Sequence, residues 1–293
     1  MKFFFVIIVF SVFNFFGNAQ QVVPFTVSTG GHMMINAEID GVKGKFIFDT
    51  GAGLNLVTKN YFDKLKGTTT DNTFFTGFRA TGDRIDLQLY SAKELIIGSF
   101  KYSNPGITYL DLNWGDIDGI LSLKNFEDAI VTLDYNKNVL VIENKKDFAS
   151  IKKSAKAIIP IQITNTRGVS LGISCYAMIN GIQKAQLVLD SGAGKDVYRV
   201  NSRYMPVLNI DPKDTLKVEK IVRKSEMKEG HENVMYKAEL GSIAIANTDK
   251  VAVKNVKTQF VDGLIYDGIV PIDWLGKKIT ISVPTSEIIV SEF

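Results

Sequence analysis

The chain carries one block of sequence twice, and this duplication constrains the fold more than any other feature. FIFDTGAG at residues 46–53 matches LVLDSGAG at residues 187–194 in order and in residue type. A turn precedes each block, and the interval between turn and aspartate is longer by one residue in the second copy, which a single insertion in a hairpin explains. The turns are IDGV at 39–42 and INGI at 179–182. A repeat on this scale predicts two structurally equivalent halves.

A second repeat follows the first in both halves. DGIL at 118–121 matches DGIV at 267–270, and an aromatic residue and two strand-like segments come after each copy. Asp and Gly are common turn residues. We therefore expect the repeated acids Asp118 and Asp267 to serve turns and packing rather than catalysis.

The local sequence pattern is β throughout. Short apolar runs bounded by turn residues precede Asp49 and Asp190, as expected of strands buried on both faces. Segments such as 84–89 alternate apolar and polar residues, as expected of strands with one wet face. We predict an all-β fold with two duplicated β-barrel lobes and a cleft between them. Helix is expected only in short pieces: residues 59–65 and the segments near Phe126 and Trp274.

The N-terminus has the layout of a secretory signal peptide. Lys2 precedes the apolar run 3–13, and the small residues of the stretch 17–19 follow it. A membrane anchor is the weaker alternative, because the run is shorter than the roughly 20 apolar residues of a spanning helix. We predict a signal peptide over residues 1–20, export to the periplasm or the extracellular space, and no stable membrane insertion after cleavage.

The remaining chain divides between the two copies of the repeat. We assign residues 21–148 to an N-terminal lobe and residues 149–293 to a C-terminal lobe. The linker is placed in the lysine-rich stretch 145–156, before an apolar strand begins again at Ile158.

The residue counts restrict the chemistry. With one cysteine and two histidines, internal disulfides and histidine-rich metal sites are excluded by counting. Cys175 and His231 could nominally form a thiol nucleophile and its base, but Cys175 lies in the strand-like run 171–179, where a buried thiol is favoured. The formal net charge of +3 is small, so we expect no nucleic-acid partner.

Asp49 and Asp190 are the candidate catalytic residues. Each ends a buried strand on a glycine-containing turn, and duplicated lobes can bring two such turns face to face across a pseudo-twofold axis. Two carboxyl groups that close share a proton, because both cannot ionise readily. The ionised member can deprotonate a water while the protonated member donates to a carbonyl oxygen, so no metal is required. Hydroxyls, glycines and small side chains support the turns: Thr50, Gly51, Ala52, Ser191, Gly192 and Ala193.

In these residues the sequence resembles the aspartic peptidase clan, in which each lobe has Asp-Thr/Ser-Gly and a later apolar-apolar-Gly segment. Alanine after the glycine is similar to the retropepsin-like branch, and two lobes in one chain resemble pepsin. The chain thus looks like two fused retropepsin-like lobes of the acid-protease type. Ser122 and Pro271 depart from the pattern, because they replace the family's glycine.

The resemblance implies an aspartic endopeptidase that acts on polypeptides, with water as nucleophile and without a cofactor. One chain suffices for the site, since it holds both aspartates. The candidate flap of the first lobe is the hairpin 74–82, with Gly77 and Phe78, and the charged stretch 224–232 is its counterpart in the second lobe. Alanine at positions 52 and 193 gives neither aspartate an extra hydroxyl hydrogen bond, so we expect a less acidic optimum than at pepsin-like sites.

Other interpretations stay open beside this one. The chain could be a catalytically inactive member of the same fold that binds peptides or another exported protein, since a fold alone does not guarantee activity. It could also be a structural repeat protein in which the aspartates only cap turns. A glycosidase is disfavoured, because its two acids need not lie in duplicated turns.

Overall fold

Each half of the duplicated sequence builds its own β-sheet, and the two halves build a third sheet together. The structure is a computed structural model that describes residues 20–70, 72–224, 230 and 232–293. The predicted signal peptide lies outside the described residues, apart from Gln20. Within the part of the chain that the structure describes, no helix is long and apolar enough to cross a membrane.

The strands are named in chain order. The first half has β1 (Gln21–Pro24), β2 (Thr26–Val27), β3 (Met33–Ile39), β4 (Val42–Asp49), β5 (Asn55–Thr58), β6 (Phe74–Phe78), β7 (Arg84–Gln88), β8 (Tyr90–Ser91), β9 (Glu94–Ile97), β10 (Phe100–Ser103), β11 (Gly106–Leu110), β12 (Gly119–Ser122), β13 (Ile130–Asp134) and β14 (Val139–Glu143). The second half has β15 (Ala157–Pro160), β16 (Gln162–Thr166), β17 (Ser170–Ile179), β18 (Gln183–Asp190), β19 (Tyr198–Asn201), β20 (Glu219–Lys224), β21 (Glu232–Ile245), β22 (Ala252–Val261), β23 (Gly268–Pro271), β24 (Lys278–Ser282) and β25 (Glu287–Glu292).

Helices are short, and the predicted all-β fold class is confirmed. They are α1 (Lys59–Phe62) and α2 (Phe148–Lys153), with 3-10 turns at Leu123–Phe126, Lys145–Asp147, Ser202–Tyr204 and Ile272–Leu275. The first helix ends at Phe62 rather than Leu65, because the amides of Lys64 and Leu65 bond three residues back and turn Leu65 into the core.

The helix α2 was not predicted, and it lies in the stretch expected to be a linker. None of its residues is buried, so no apolar periodicity marks it in the sequence. The domain boundary between residues 148 and 149 stays a prediction.

The sheet shared by the two halves has the strand order β1-β14-β13-β24-β25-β15. At its centre β13 and β24 run antiparallel, and Thr132 pairs with Thr280. These threonines hold the same position in the two copies of the repeat, so a pseudo-twofold axis passes between them. Their Oγ1 atoms lie 2.7 Å apart, and both side chains are buried.

The sheets of the two lobes repeat one arrangement. In the first lobe the order is β10-β9-β3-β4-β12-β5-β11-β8, and in the second it is β16-β17-β18-β23-β19-β22-β21-β20. The strand from the second sequence repeat, β12 or β23, runs parallel to the strand that carries the aspartate. It thereby places Ser122 beside Asp49 and Pro271 beside Asp190. In the second lobe β17 also pairs with β21, which curls that sheet.

The one-residue difference between the two copies lies in a hairpin turn, as the sequence predicts. Ile39 pairs with Val42, which leaves a two-residue loop between β3 and β4. Ile179 pairs with Gln183, which leaves one residue more between β17 and β18. The insertion is confined to the turn, so it does not shift the strands that lead to the aspartates.

The repeated acids serve the fold in the same way in both lobes. The Oδ2 atom of Asp118 accepts the Lys45 amide at 3.0 Å, and Oδ2 of Asp267 accepts the Gln186 amide at 2.8 Å. Lys45 and Gln186 each lie four residues before a candidate catalytic aspartate. Both acids thus fix the strand that leads to the site, as expected from the sequence.

The pair Thr132–Thr280 provides a test of the shared sheet. Thr132→Val should lower the free energy of unfolding by about 1–3 kcal/mol, because it leaves the buried Thr280 hydroxyl without its partner. Thr132→Val combined with Thr280→Val should recover most of that loss, because both polar groups are then replaced by apolar groups of the same shape. Urea unfolding of Thr132→Val, Thr280→Val and the double variant measures this cycle, and equal losses in single and double variants would contradict the pairing.

Candidate active site

The two aspartates stand at the ends of equivalent strands. In β4 the side chains of Phe46 and Phe48 are buried, and in β18 those of Leu187 and Leu189 are buried. Alternating burial anchors each strand in its own lobe. The next position in each strand, Asp49 or Asp190, is therefore held at the junction of the lobes.

The two turns are joined by a reciprocal set of hydrogen bonds. The Thr50 amide donates to Ser191 Oγ at 3.0 Å, and the Ser191 amide donates to Thr50 Oγ1 at 3.0 Å. Each hydroxyl then donates onward to a backbone carbonyl of the other lobe, Thr50 to Leu189 at 2.8 Å and Ser191 to Phe48 at 2.8 Å. All four groups are buried, so the set fixes the position of one turn relative to the other.

Glycine at 51 and 192 lets the carboxyl group of the opposite lobe come close. A Cβ atom added to Gly51 would lie 2.5 Å from Asp190 Cγ, and one added to Gly192 would lie 2.3 Å from Asp49 Oδ2. No side chain fits at such distances. The requirement for Asp-Thr/Ser-Gly is therefore mutual, since the glycine of one lobe makes room for the aspartate of the other.

The two carboxyl groups accept different numbers of backbone hydrogen bonds. Asp49 Oδ1 accepts the amides of Gly51 at 2.7 Å and Ala52 at 2.9 Å. Asp190 Oδ1 accepts the Gly192 amide at 2.6 Å, whereas the Ala193 amide lies 3.5 Å from the main-chain oxygen of Asp190. Amide donors favour the ionised form of a carboxyl group, so the first turn offers more support to a negative charge than the second.

Burial raises the pKa of Asp190 well above its usual range, and the charge of Asp49 and a hydrogen bond with Asp49 raise it further. The Gly192 amide and the charge of Arg199 oppose this rise. Asp190 thus keeps its proton in a pH range where an ordinary aspartate has lost it. The pair can hold one acid and one base together.

Ser122 fits the position where the family pattern has glycine. Its hydroxyl donates to the Ala52 carbonyl at 2.6 Å and its amide donates to Asn55 Oδ1 at 3.0 Å. Asn55 in turn donates to Asn125 Oδ1 at 2.9 Å. The first active-site turn is therefore held from below by a buried polar network, which the sequence analysis did not identify. In the second lobe, Pro271 is buried and precedes the 3-10 turn that begins at Ile272.

The strands β6 and β7 form a hairpin over the cleft, where the first flap was expected. Gly77 and Phe78 line the cleft together with Phe75, although 40% of Phe78 is exposed. Beyond β6, Ala80 packs against an apolar cluster of the second lobe that contains Leu264 and Ile269. The flap is thus in contact with both lobes.

A polar contact accompanies this packing. Asn233 Nδ2 donates to Asp83 Oδ2 at 3.1 Å in a buried environment. The counterpart flap predicted at 224–232 falls mostly outside the described residues, and only its edges, β20 and β21, are seen.

The cleft beneath the flap has a volume of about 670 Å³, and both aspartates line it. Its walls are mainly apolar: Leu56, Ile85, Leu110, Trp114, Ile120, Ile173, Val188 and Ile269. A cavity of this size, with mainly apolar walls and a few polar groups, is suited to bind a ligand.

The thiol that could have served as a nucleophile is not among the residues that line the cleft. Cys175 is buried in β17, as predicted, and burial raises the pKa of its thiol to about 12. His231 lies outside the described residues. In the described part of the chain, no three His, Cys, Asp or Glu side chains come together as a set that could hold a metal ion.

Comparison with known proteins bears on the first lobe. Residues 35–124 match the family model described as aspartyl protease. The match begins in β3, includes the Asp49 turn and the flap, and ends just after β12. No curated protein matches the chain.

The raised pKa of Asp190 predicts how stability depends on pH. Because the folded state holds this proton more tightly than the unfolded chain, the contribution to stability is present below about pH 3.9 and is lost as the pH rises through the folded pKa. Asp190→Asn does not titrate and can still accept the Gly192 amide. Between about pH 3 and pH 7 its melting temperature should therefore rise relative to that of the unmodified protein. The rise should be about 2–4 °C for each kcal/mol of free energy of unfolding that the unmodified protein loses over this range.

Asp116→Asn is the matched control, because Lys45 lowers the pKa of that exposed carboxyl. Its melting temperature should show no such gain. Thermal unfolding at both pH values measures the two differences, and a constant gap for Asp190→Asn would contradict the buried proton.

Proposed function

We propose that this protein is an aspartic endopeptidase that hydrolyses peptide bonds with a water activated by Asp49 and Asp190, because residues 35–124 match the aspartyl protease family model. The observation that carries the proposal is the pair of carboxyl groups, joined across the lobes at the floor of a cleft that a hairpin covers. The family match supports the first aspartate, and the duplication supports the second.

The asymmetry of the pair assigns the roles. Asp190, with its raised pKa, is the acid, and Asp49, which accepts two amides, is the base. Asp49 takes a proton from the water as its oxygen attacks the carbonyl carbon, while Asp190 donates its proton to the carbonyl oxygen. The tetrahedral diol then collapses as Asp49 passes its proton to the amide nitrogen, the carbon–nitrogen bond breaks, and Asp190 regains a proton from the diol. The proton count of the pair is restored.

The substrate we propose is a polypeptide with apolar side chains near the cleaved bond. The apolar walls of the cleft favour such side chains because their burial removes apolar surface from water. The hairpin that covers the cleft also packs against the second lobe, since Ala80 lies against the cluster that contains Leu264 and Ile269. One copy of the protein suffices, because both aspartates belong to one chain.

The N-terminal sequence supports a proposal for the compartment in which the protein acts. We propose that the protein acts after export, in the periplasm or the extracellular space, once the signal peptide over residues 1–20 has been removed.

Substitution of either aspartate tests the proposal. Asp49→Asn and Asp190→Asn should each lower the hydrolysis of a mixed peptide library by about 10³-fold or more, because each removes a proton-transfer group. Asp116→Asn, at an exposed position, should cleave like the unmodified protein. Mass spectrometry of the products measures cleavage, and circular dichroism checks that each variant is folded. A folded, unmodified protein that cleaves nothing would instead favour a peptide-binding module of the same fold.

The dependence of the rate on pH provides a separate test. Activity should fall as the pH rises far enough for Asp190 to lose its proton, because the pair then no longer holds an acid. Because the pKa of Asp190 is raised, the upper limb should lie well above the usual range of an aspartate, with the optimum less acidic than in pepsin-like sites. A profile of kcat/KM confined to strongly acidic solution would contradict this expectation.

A further inference from the structure

The two lobes present different side chains at one equivalent position beside the active site. In the first lobe Ile120 of β12 pairs with Leu56 of β5. In the second lobe Ile269 of β23 pairs with Arg199 of β19. The pseudo-twofold relation therefore superposes Arg199 on Leu56. The flanking pairs agree, since Gly119 pairs with Val57 and Gly268 pairs with Val200.

The pairing also fixes the direction of the Arg199 side chain. Residues directly opposite each other in antiparallel strands project from the same face of the sheet. Leu56 and Ile120 both line the cleft, and so does Ile269. Arg199 therefore lies on the same face of the second lobe as Ile269, next to the residues that line the cleft, at the position where the first lobe presents a leucine.

The charge of Arg199 is poorly compensated. The guanidinium is partly buried, and burial lowers its pKa. Among the described residues, no carboxylate forms an ion pair with it. The acidic group that acts on it is Asp190, and the like charge of Arg223 acts in the opposite sense. A desolvated guanidinium without a partner is costly, so this position is suited to receive a carboxylate from outside the chain.

We propose that Arg199 forms a subsite that binds an acidic side chain of the peptide, on the opposite side of the cleaved bond from the apolar subsite of Leu56. The inference rests on the proposed peptidase function and names its substrate class. The axis that relates Leu56 to Arg199 passes between the two aspartates, where the cleaved bond lies. Residues at equal distances on the two sides of that bond therefore meet leucine on one side and arginine on the other.

The chemistry favours Glu or Asp at that position over a neutral side chain of the same size. A guanidinium offers planar N–H donors that match the two oxygens of a carboxylate. Ile269, which pairs with Arg199, and Val188, which pairs with Ile269, make the surroundings of this position apolar. A glutamine can use the same space but brings no charge to Arg199.

Paired peptides test the subsite. A peptide cleaved from the library is remade with Glu, Gln or Leu at each position flanking the bond, and kcat/KM is measured at about pH 6, where glutamate is ionised. On one side Glu should exceed Gln by about tenfold, the effect of a hydrogen bond to a charged group. Arg199→Leu should remove this ratio and favour Leu on both sides, and Arg199→Gln should remove it without adding the apolar preference.

Arg223→Gln is the matched control, because Arg223 lies near Arg199 but is exposed. It should change the Glu/Gln ratio by about twofold or less, as for an exposed charge. An equal loss in Arg223→Gln and Arg199→Gln, or a Glu/Gln ratio that survives Arg199→Leu, would overturn the proposal.

Affinity separates this inference from the proposed activity. The same peptides, labelled with a fluorophore, are titrated into Asp49→Asn with and without Arg199→Leu, and anisotropy gives the Glu/Gln affinity ratio in the absence of cleavage. Hydrolysis without a Glu preference would overturn the subsite and leave the peptidase intact. A Glu preference in affinity without any hydrolysis by the unmodified protein would support the subsite and overturn the peptidase.

Discussion

The reciprocal hydrogen bonds between Thr50 and Ser191 are the interaction on which the rest of the site depends. The amide and the hydroxyl of each residue donate hydrogen bonds to the opposite lobe. The position of each turn therefore depends on the other turn. The positions of the carboxyl groups follow from this arrangement. Gly51 and Gly192, next to the two hydroxyl residues, are the surfaces against which the carboxyl groups of Asp190 and Asp49 pack. The raised pKa of Asp190, which burial and the charge of Asp49 cause, is thus a consequence of how the lobes are joined.

The two lobes share equivalent backbone contacts, but they place different side chains around the active site. The equivalent elements include the central Thr132–Thr280 pair and the acids Asp118 and Asp267, which bind equivalent amides. Below the turns, however, the first lobe uses Ser122, Asn55 and Asn125, whereas the second has Pro271, Tyr198 and Trp274 at the same places. The same divergence replaces leucine with arginine beside the cleft. Equal scaffolds can therefore hold two chemically different half-sites, as an acid and a base require.

The flap belongs to the first lobe in sequence but rests on the second. Ala80 packs on the cluster around Leu264, and Asp83 accepts a hydrogen bond from Asn233. Contacts of this kind connect the cover of the cleft to the lobe that carries Asp190. Any movement of the hairpin away from the cleft would break these contacts, so its energy would depend on residues from both halves.

The sequence alone determined the fold class, the pairing of Asp49 with Asp190 and the supporting Thr/Ser-Gly-Ala turns, because these features are written twice and a repeat can be read without coordinates. It also indicated the structural role of Asp118 and Asp267 and the burial of Cys175. Only the tertiary structure decided which aspartate has the raised pKa, how Ser122 serves in place of glycine, and that Arg199 takes the position of Leu56 in the second lobe. These depend on burial and on pairing between distant strands. The helix α2 was not predicted because none of its six residues is buried, so its sequence carries no apolar period.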